Sequence, residues 1–143
     1  MSSSPTSFAE WQTYPLTLDP IHVAWLKQAK QAKTAFAVAD IEGIEISHKR
    51  FLTGVLLFAK KIKTYSPEQN VGLLLPSSGG GAIASMAILS LGKTLVNLNF
   101  TAGKKALQSA VEQAEVKHIY TSRKFIDKMY EKGEDLSSFF PDI

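Results

Sequence analysis

The stretch of this sequence whose residue types and spacing best suit ligand binding is rich in serine and glycine and covers residues 77–84. Gly79, Gly81 and Ala84 fit the G-x-G-x-x-[GA] pattern, in which glycines let a pyrophosphate approach the amides at a helix N-terminus. Two features count against a dinucleotide site. Residues 76–78 separate the glycines from the preceding apolar run, and asparagines stand where a ribose-binding acid is expected, about 20 residues on.

The weak candidates for a cofactor-binding site are therefore Ser78, Gly79, Gly80 and Gly81. If they bound a nucleotide, the chain would be a self-contained small nucleotide-binding domain. A helix start rich in serine and glycine is common in proteins without any ligand, so this interpretation is kept as an alternative.

No other pattern in the sequence predicts catalysis. Gly92-Lys93-Thr94 has the residues that end a P-loop, but Ala87 stands where that loop requires a glycine. The three histidines lie far apart, and none has a second ligand one helical turn away, so we expect no metal site. The carboxylates at 40–45 and 131–135 are explained by solvation. We assign no catalytic residue and no metal ligand.

The composition is that of one ordinary soluble domain and excludes several classes of site. The chain has 143 residues, of which 45% are hydrophobic and 20% charged, and a formal net charge of +3. That small surplus predicts no nucleic-acid partner, which needs a clustered basic face. The lack of cysteine excludes disulfides, thiol nucleophiles and cysteine-bound metals. The longest apolar stretch, 81–91, is too short to cross a membrane, which takes about 20 residues.

Residues 1–18 are expected to form a flexible leader without a secretory signal. Asp19 and Pro20 then predict a helix, since aspartate caps free amides and proline fits the first helical position. Ile21 and Trp25 share one face of this helix, and lysines share the other. We expect the apolar face to pack on the domain. The alternative is a membrane or carrier-protein interaction module that uses the face from Trp25 to Lys33.

Residues 34–46 predict a short β-hairpin, because apolar residues alternate on both sides of a turn at Glu42-Gly43. Ser47 is the expected cap of a helix from His48 to about Tyr65. The spacing of three and four predicts its buried stripe, which is Phe51, Val55, Phe58 or Ala59, and Ile62.

From Val71 the sequence predicts a strand followed by a helix three times. Thr101 and Ser122 are the expected caps of the last two helices, and Ala106, Ala110 and Tyr130 are expected on their inner faces. The strands are 71–75, 94–98 and 117–121, and the helices are 79–92, 101–114 and 122–132. The predicted fold class is α/β: three layers, a parallel sheet of about three strands with helices on both faces, preceded by an N-terminal helix and a short β-hairpin.

Several sequence blocks resemble, in the right order, the N-terminal part of adenylate-forming acyl synthetases. The blocks are 71–78 (VGLLLPSS), 92–99 (GKTLVNLN) and 116–122 (VKHIYTS). The closer likeness is to the synthetase domain of bifunctional acyl-[acyl-carrier-protein] synthetase / 2-acylglycerophosphoethanolamine acyltransferases. The blocks that carry it are 40–43 (DIEG), 47–51 (SHKRF), 98–103 (LNFTAG), 114–117 (AEVK) and 119–125 (IYTSRKF).

This resemblance, which covers about residues 34–132, implies an enzyme that uses ATP and Mg²⁺ to convert a fatty acid to an acyl-adenylate. In this branch the acyl group then passes to the phosphopantetheine thiol of acyl carrier protein or CoA, and on to a lysophospholipid. The resemblance also implies a cytoplasmic segment whose parent enzyme associates with the inner membrane.

The phosphate-binding loop of that family, a Thr/Ser/Gly-rich run that ends in Pro-Lys-Gly, is missing from this sequence. Its later adenine- and ribose-binding motifs and its C-terminal lysine are missing too. We therefore expect residues 19–143 to be an N-terminal fragment of the large domain, catalytically silent alone and with no cofactor of its own. We expect the rest of the parent synthetase to be the partner, because Phe139 and Phe140 at the tail need a neighbour on which to pack. Exposed surfaces predict a homodimer in isolation.

Overall fold

A computed structural model describes residues 19–40 and 43–136. The expected leader, 1–18, and the tail aromatics Phe139 and Phe140 lie outside the described residues. In chain order the elements are helix α1 (Ile21–Gln31), strands β1 (Phe36–Ala39) and β2 (Glu45–Ser47), helix α2 (His48–Tyr65), strand β3 (Asn70–Leu73), helix α3 (Gly79–Ser90), strand β4 (Thr94–Asn97), a 3-10 turn (Phe100–Ala102), helix α4 (Lys104–Gln113), strand β5 (Ile119–Tyr120) and helix α5 (Arg123–Glu131).

The predicted α/β fold is confirmed, with β3 at the centre of a parallel sheet in the order β4-β3-β5. Asn70–Leu73 pairs with Thr94–Asn97 on one side, and Gly72 and Leu73 pair with β5 on the other. The apolar run of β3 follows from burial on both faces of the sheet. The connection from β3 to β4 and the connection from β4 to β5 run in opposite directions across the sheet. Because both connections are right-handed, their helices lie on opposite faces of the sheet.

Two hydrophobic cores, one on each face of the sheet, confirm that arrangement. Val71 and Leu73 point into the first core, beneath α2 and α3, while Leu74 points into the second core, beneath α4 and α5. The first core contains Phe51, Val55, Ala59, Ile62, Val71, Leu73, Ala84, Ala87 and Ile88. The second contains Leu74, Leu98, Leu107, Val111, Val116, Phe125, Met129 and Leu136.

The predicted hairpin and the helix after it are also present. β1 and β2 pair antiparallel, and Ser47 Oγ accepts a hydrogen bond from the Arg50 amide at 3.4 Å, as expected of a helix cap. The buried residues of α2 are Phe51, Val55, Ala59 and Ile62, which is the stripe that the spacing predicts.

Helix α1 packs its tryptophan on the domain. The Trp25 ring meets Phe51 edge to face at 5.0 Å between centroids, and its Nε1 donates to His48 Nδ1 at 3.2 Å. The expected packing of the apolar face of α1 on the domain therefore accounts for Trp25. A module that binds a membrane or a carrier protein through this face would lose Trp25 as its main contact. No helix among residues 19–40 and 43–136 combines the length and the apolar character that a membrane span requires.

Several local expectations about helix starts are wrong. Pro20 occupies the cap position of α1, and the Asp19 carboxylate pairs with Lys27. Gly103 takes the cap position of α4 instead of Thr101, whose amide donates to Asn99 Oδ1 at 3.0 Å in the preceding 3-10 turn. A side chain that bonds locally in a turn competes with its use as a helix cap.

Some predicted inner faces are also wrong. Ile21 is 66% exposed and Tyr130 is 70% exposed, and Ala106 and Ala110 are exposed on α4. These residues lie beside the buried stripes of short helices, and each of those stripes contains only one or two buried residues. Helical spacing predicts which residues share a face but not how wide a face the neighbouring layer covers.

Gly72 lies at the most crowded point of β3 and provides a test of the central strand. A Cβ at this position would lie 2.9 Å from Val116 Cγ1 and 3.3 Å from the backbone oxygen of His118. We expect Gly72→Ala to lower the free energy of unfolding by about 1–3 kcal/mol through overpacking. Urea denaturation of the 143-residue chain measures this.

Gly80→Ala is the matched control, because a Cβ there meets nothing nearer than Ser78 Oγ at 3.9 Å. A glycine-to-alanine change inside a helix is expected to raise the free energy of unfolding by about 0.5–1 kcal/mol. Equal effects of the two substitutions would contradict the assignment of β3 as a tightly packed centre.

Candidate functional site

The carboxyl ends of β3 and β5 form the point at which the chain turns to opposite faces of the sheet. β3 leads into α3 over the first core, and β5 leads into α5 over the second. In open α/β sheets, ligands bind in the crevice outside the carboxyl ends of the strands at such a point. The candidate site therefore lies between the segment 75–80 and the segment 120–124.

Two depressions open at this edge. One is an apolar groove of about 500 Å³ between α2, α3 and β5, lined by Leu57, Phe58, Ile83 and Tyr120 among others. The other is a more polar crevice of about 340 Å³, in which Asp40, Ser78, Ser122, Lys124 and Lys128 take part.

The candidate residues Ser78, Gly79, Gly80 and Gly81 do open a helix at this edge. However, two of the amides at the start of α3 are bound by the chain's own side chains: Asp40 Oδ2 accepts from the Gly79 amide at 3.3 Å, and Ser78 Oγ accepts from the Gly81 amide at 3.1 Å. A carboxylate thus occupies the positive end of the helix, where a phosphate would bind. A nucleotide would have to displace Asp40 and would meet its negative charge.

Gly79 and Gly81, the two glycines that the motif requires, are explained by the close approach of neighbouring segments. A Cβ on Gly79 would lie 2.7 Å from Ile46 Cδ1 of the hairpin, and a Cβ on Gly81 would lie 3.1 Å from the Pro76 carbonyl oxygen. The contact at Gly79 lets the hairpin pack directly against the start of α3, and the contact at Gly81 lets the helix begin close to the segment that precedes it. Packing therefore accounts for Gly79 and Gly81 without a ligand, whereas a Cβ on Gly80 would meet nothing nearer than 3.9 Å.

The residues at which the motif expects a ribose-binding acid have other contacts. Asn97 ends β4, and Asn99 Oδ1 accepts from both the amide and the hydroxyl of Thr101, at 3.0 and 2.8 Å. The Asn99 side chain thus stabilises the 3-10 turn and does not act as the ribose-binding acid of the motif.

The more polar crevice contains side chains of both charges, but these side chains do not form a catalytic group. Ser122 Oγ accepts from the Phe125 amide at 3.1 Å, so the serine caps α5 as predicted. Lys124 and Lys128, one helical turn apart, face the same crevice as Asp40. These contacts fix helix starts; they contain no pair of nucleophile and base of the kind that covalent catalysis requires.

The remaining chemistry-bearing residues lie elsewhere. His118 and Glu68 precede β5 and β3, so they lie at the amino end of the sheet, where His118 Nδ1 is 2.8 Å from Glu68 Oε1. Lys93, from the P-loop-like triplet, donates to the backbone oxygen of Pro67 at 3.4 Å and also to that of Glu68. The described residues contain no cluster of three His, Asp or Glu side chains that could hold a metal ion.

Asp40 is the residue that sequence reasoning missed, because solvation was expected to explain it. Its two carboxylate oxygens bind different elements: Oδ1 accepts from the Ile44 amide at 3.1 Å, and Oδ2 accepts from Gly79. The local half of this arrangement, an aspartate before a tight turn, could have been predicted. The long-range half could not, because its partner is 39 residues away.

Comparison with solved structures identifies related folds at low sequence identity. The N-terminal domain of FACL13 from Mycobacterium tuberculosis superposes with a TM-score of 0.66 at 14% identity, over 82% of this chain and 31% of that one. The anthranilate CoA ligase AuaEII, solved with anthranoyl-AMP, gives 0.67 at 16% identity, over 81% of this chain and 23% of that one.

A third neighbour is the N-terminal subdomain of Klebsiella oxytoca NpsA, solved with 3-hydroxybenzoyl-AMSN. It gives a TM-score of 0.66 at 12% identity, over 71% of this chain and 26% of that one. The chain has the fold of part of the N-terminal domain of adenylate-forming enzymes. It spans between 23% and 31% of the length of these three neighbours. No protein-family model matches the sequence.

The contact between Asp40 and the start of α3 generates a stability prediction. Asp40→Ala removes acceptors from two amides and a negative charge from a helix N-terminus, so we expect a loss of about 1–2 kcal/mol in the free energy of unfolding. Asp127→Ala, the same substitution at an exposed position of α5, should change it by less than about 0.5 kcal/mol. Denaturant titration measures both, and a neutral Asp40→Ala would contradict the docking role.

The occupied helix start also predicts the result of a ligand titration. Isothermal titration of the 143-residue chain with NAD and with AMP should give no binding heat, because the Asp40 carboxylate already neutralises the α3 N-terminus. A saturable heat with either ligand that disappears in Gly80→Trp, which would fill the mouth of the crevice, would restore the nucleotide-binding alternative.

Proposed function

We propose that this chain supplies the first α/β unit of the large domain of an adenylate-forming acyl synthetase and is catalytically silent on its own. The observation that carries the proposal is the shared architecture. The described elements superpose on adenylate-forming enzymes with TM-scores of 0.66 to 0.67 over most of this chain, yet account for less than a third of each neighbour.

The absence of a catalytic constellation at the candidate site supports the second half of this proposal. The α3 start binds Asp40, and the α5 start binds Ser122, so both helix N-termini are used by the fold. In this role the chain is a scaffold: it provides a sheet with two covered faces, and the rest of the parent enzyme adds the substrate-binding residues.

The residues present do not fit ATP and Mg²⁺. A triphosphate would meet the Asp40 carboxylate at the glycine-rich helix start, and the described residues have no cluster of carboxylates for a divalent cation. We therefore derive no reaction step at this site, and in the proposed parent enzyme both ligands bind outside residues 19–136.

The substrate class of the parent is a finer part of the proposal and depends on the sequence blocks. We propose a fatty acid as the acid that is activated, acyl carrier protein or CoA as the thiol acceptor, and a lysophospholipid as the final acceptor, with the parent at the inner membrane. Two of these blocks include residues that shape the sheet edge: one begins with Asp40, which binds the start of α3, and the other, 119–125, joins β5 to the capped start of α5.

Exchange of radiolabelled pyrophosphate into ATP in the presence of a fatty acid tests the proposed function. The 143-residue chain should give the rate of the blank, because it lacks the phosphate-binding loop. The full-length product of the same gene should give exchange that depends on fatty acid.

Two outcomes would contradict the proposal. Clear exchange by the 143 residues alone would refute catalytic silence. A full-length product without exchange for any fatty acid, aromatic acid or amino acid would refute the assignment to an adenylate-forming parent.

A further inference from the structure

One side of helix α2 borders the apolar groove beside β5, where it carries the partly buried Phe58 and the exposed Leu57. Gly54, Leu57, Phe58 and Lys61 have the i, i+3, i+4, i+7 spacing of one helix face, and all four line the apolar groove beside β5. Leu57 is 68% exposed, and Tyr65, one further turn along, is 61% exposed. The described elements therefore cover Phe58 in part and leave Leu57 uncovered beside the groove.

The floor of this groove is a rigid part of the structure. The Tyr120 ring meets Phe58 edge to face at 5.1 Å between centroids, and its hydroxyl lies 2.8 Å from Oγ of Ser66, a residue with no exposed surface. These contacts fix α2 over β5. The groove is therefore formed by contacts within the described fold itself.

The groove adjoins an open edge of the sheet. β5 bonds β3 through alternate residues: the carbonyls of His118 and Tyr120 accept from Gly72 and Leu74, each at 2.9 Å. Alternate residues of a strand turn their backbone groups to opposite sides, so Ile119 and Thr121 present theirs to the other edge. Within the described residues no strand pairs with that edge, and unpaired edges are templates for strand addition.

The apolar groove and the open edge of β5 together indicate which kind of segment would bind there. A strand added to β5 would satisfy the backbone groups of Ile119 and Thr121, and a helix following it would cover Leu57 and Phe58 just as α3 covers the inner stripe of α2. A crossover of a strand and a helix is the usual way in which a parallel sheet is extended. The N-terminal domain of FACL13 has the length to contain such an extension, since this chain covers only 31% of it.

We propose that the open edge of β5 and the groove lined by Leu57, Phe58 and Tyr120 together bind a strand-and-helix segment from the remainder of the parent protein, so that the sheet continues beyond β5. This inference rests on the proposed function, because it takes that remainder as the partner. It adds the surface of attachment and the secondary structure of the segment that binds there.

Cysteine labelling tests this surface, because the chain contains no cysteine of its own. Three single-cysteine variants are made in the 143-residue chain and in the full-length gene product, in which any later cysteines are replaced by serine. Leu57→Cys probes the groove and Thr121→Cys probes the edge. Glu112→Cys, exposed on α4 over the opposite face of the sheet, is the control.

In the 143-residue chain all three thiols should react with maleimide at similar rates. In the full-length protein, labelling at 57 and 121 should slow by at least about tenfold, since burial by a packed segment requires opening before reaction. The rate at 112 should stay within about twofold of that in the short chain.

The outcomes separate this inference from the proposed function. Fast labelling at 57 and 121 in a full-length protein that exchanges pyrophosphate would overturn the attachment surface and leave the proposed function standing. Protection at both positions without exchange would retain the surface and refute the enzyme assignment. A gene that ends at residue 143, or protection of the short chain that rises with its concentration, would overturn the inference in favour of a second copy as the occupant.

Discussion

The structure depends on one constraint: the backbone groups on both edges of β3 must be hydrogen-bonded, and both faces of the strand must be covered. Both edges of this strand pair with parallel neighbours, and both faces are covered by helices. Val71 has no exposed surface, and Gly72 leaves no room for a Cβ beside Val116. The alternation of strands and helices around β3 follows from this requirement, since parallel neighbours need crossovers and crossovers cover the faces.

The same constraint explains the form of the glycine-rich stretch. The chain leaves the end of β3 at the edge where α/β proteins commonly bind ligands, and it begins α3 with amides that need acceptors. In this chain the hairpin provides the acceptor: Asp40 binds Gly79, and Ile46 packs at the position that a Cβ would take. The edge at which α/β proteins commonly bind ligands is thereby used in this chain to attach the hairpin.

Much of the fold could be predicted from local signals in the sequence. The stripe Phe51, Val55, Ala59 and Ile62 and the caps Ser47 and Ser122 are encoded within a few residues of the elements they form. The contact of Asp40 with Gly79 could not be predicted, because it depends on tertiary packing between distant segments. The exposure of Leu57 could not be predicted for another reason: neighbouring lysines make that side of the helix appear solvated, and helical spacing does not show which apolar residues the neighbouring elements leave uncovered.

The central claim is that β3 is paired on both edges within the described residues, and that the outer edge of β5 is the surface to which we propose that the rest of the parent protein binds. Amide hydrogen exchange followed by NMR tests it most directly, on the 143-residue chain and on the full-length product. The account predicts slow exchange of the Gly72 and Leu74 amides in both, and fast exchange of the Ile119 and Thr121 amides in the short chain that becomes slow in the full-length protein. Slow exchange at Ile119 and Thr121 in the short chain, or fast exchange there in the full-length protein, would contradict it.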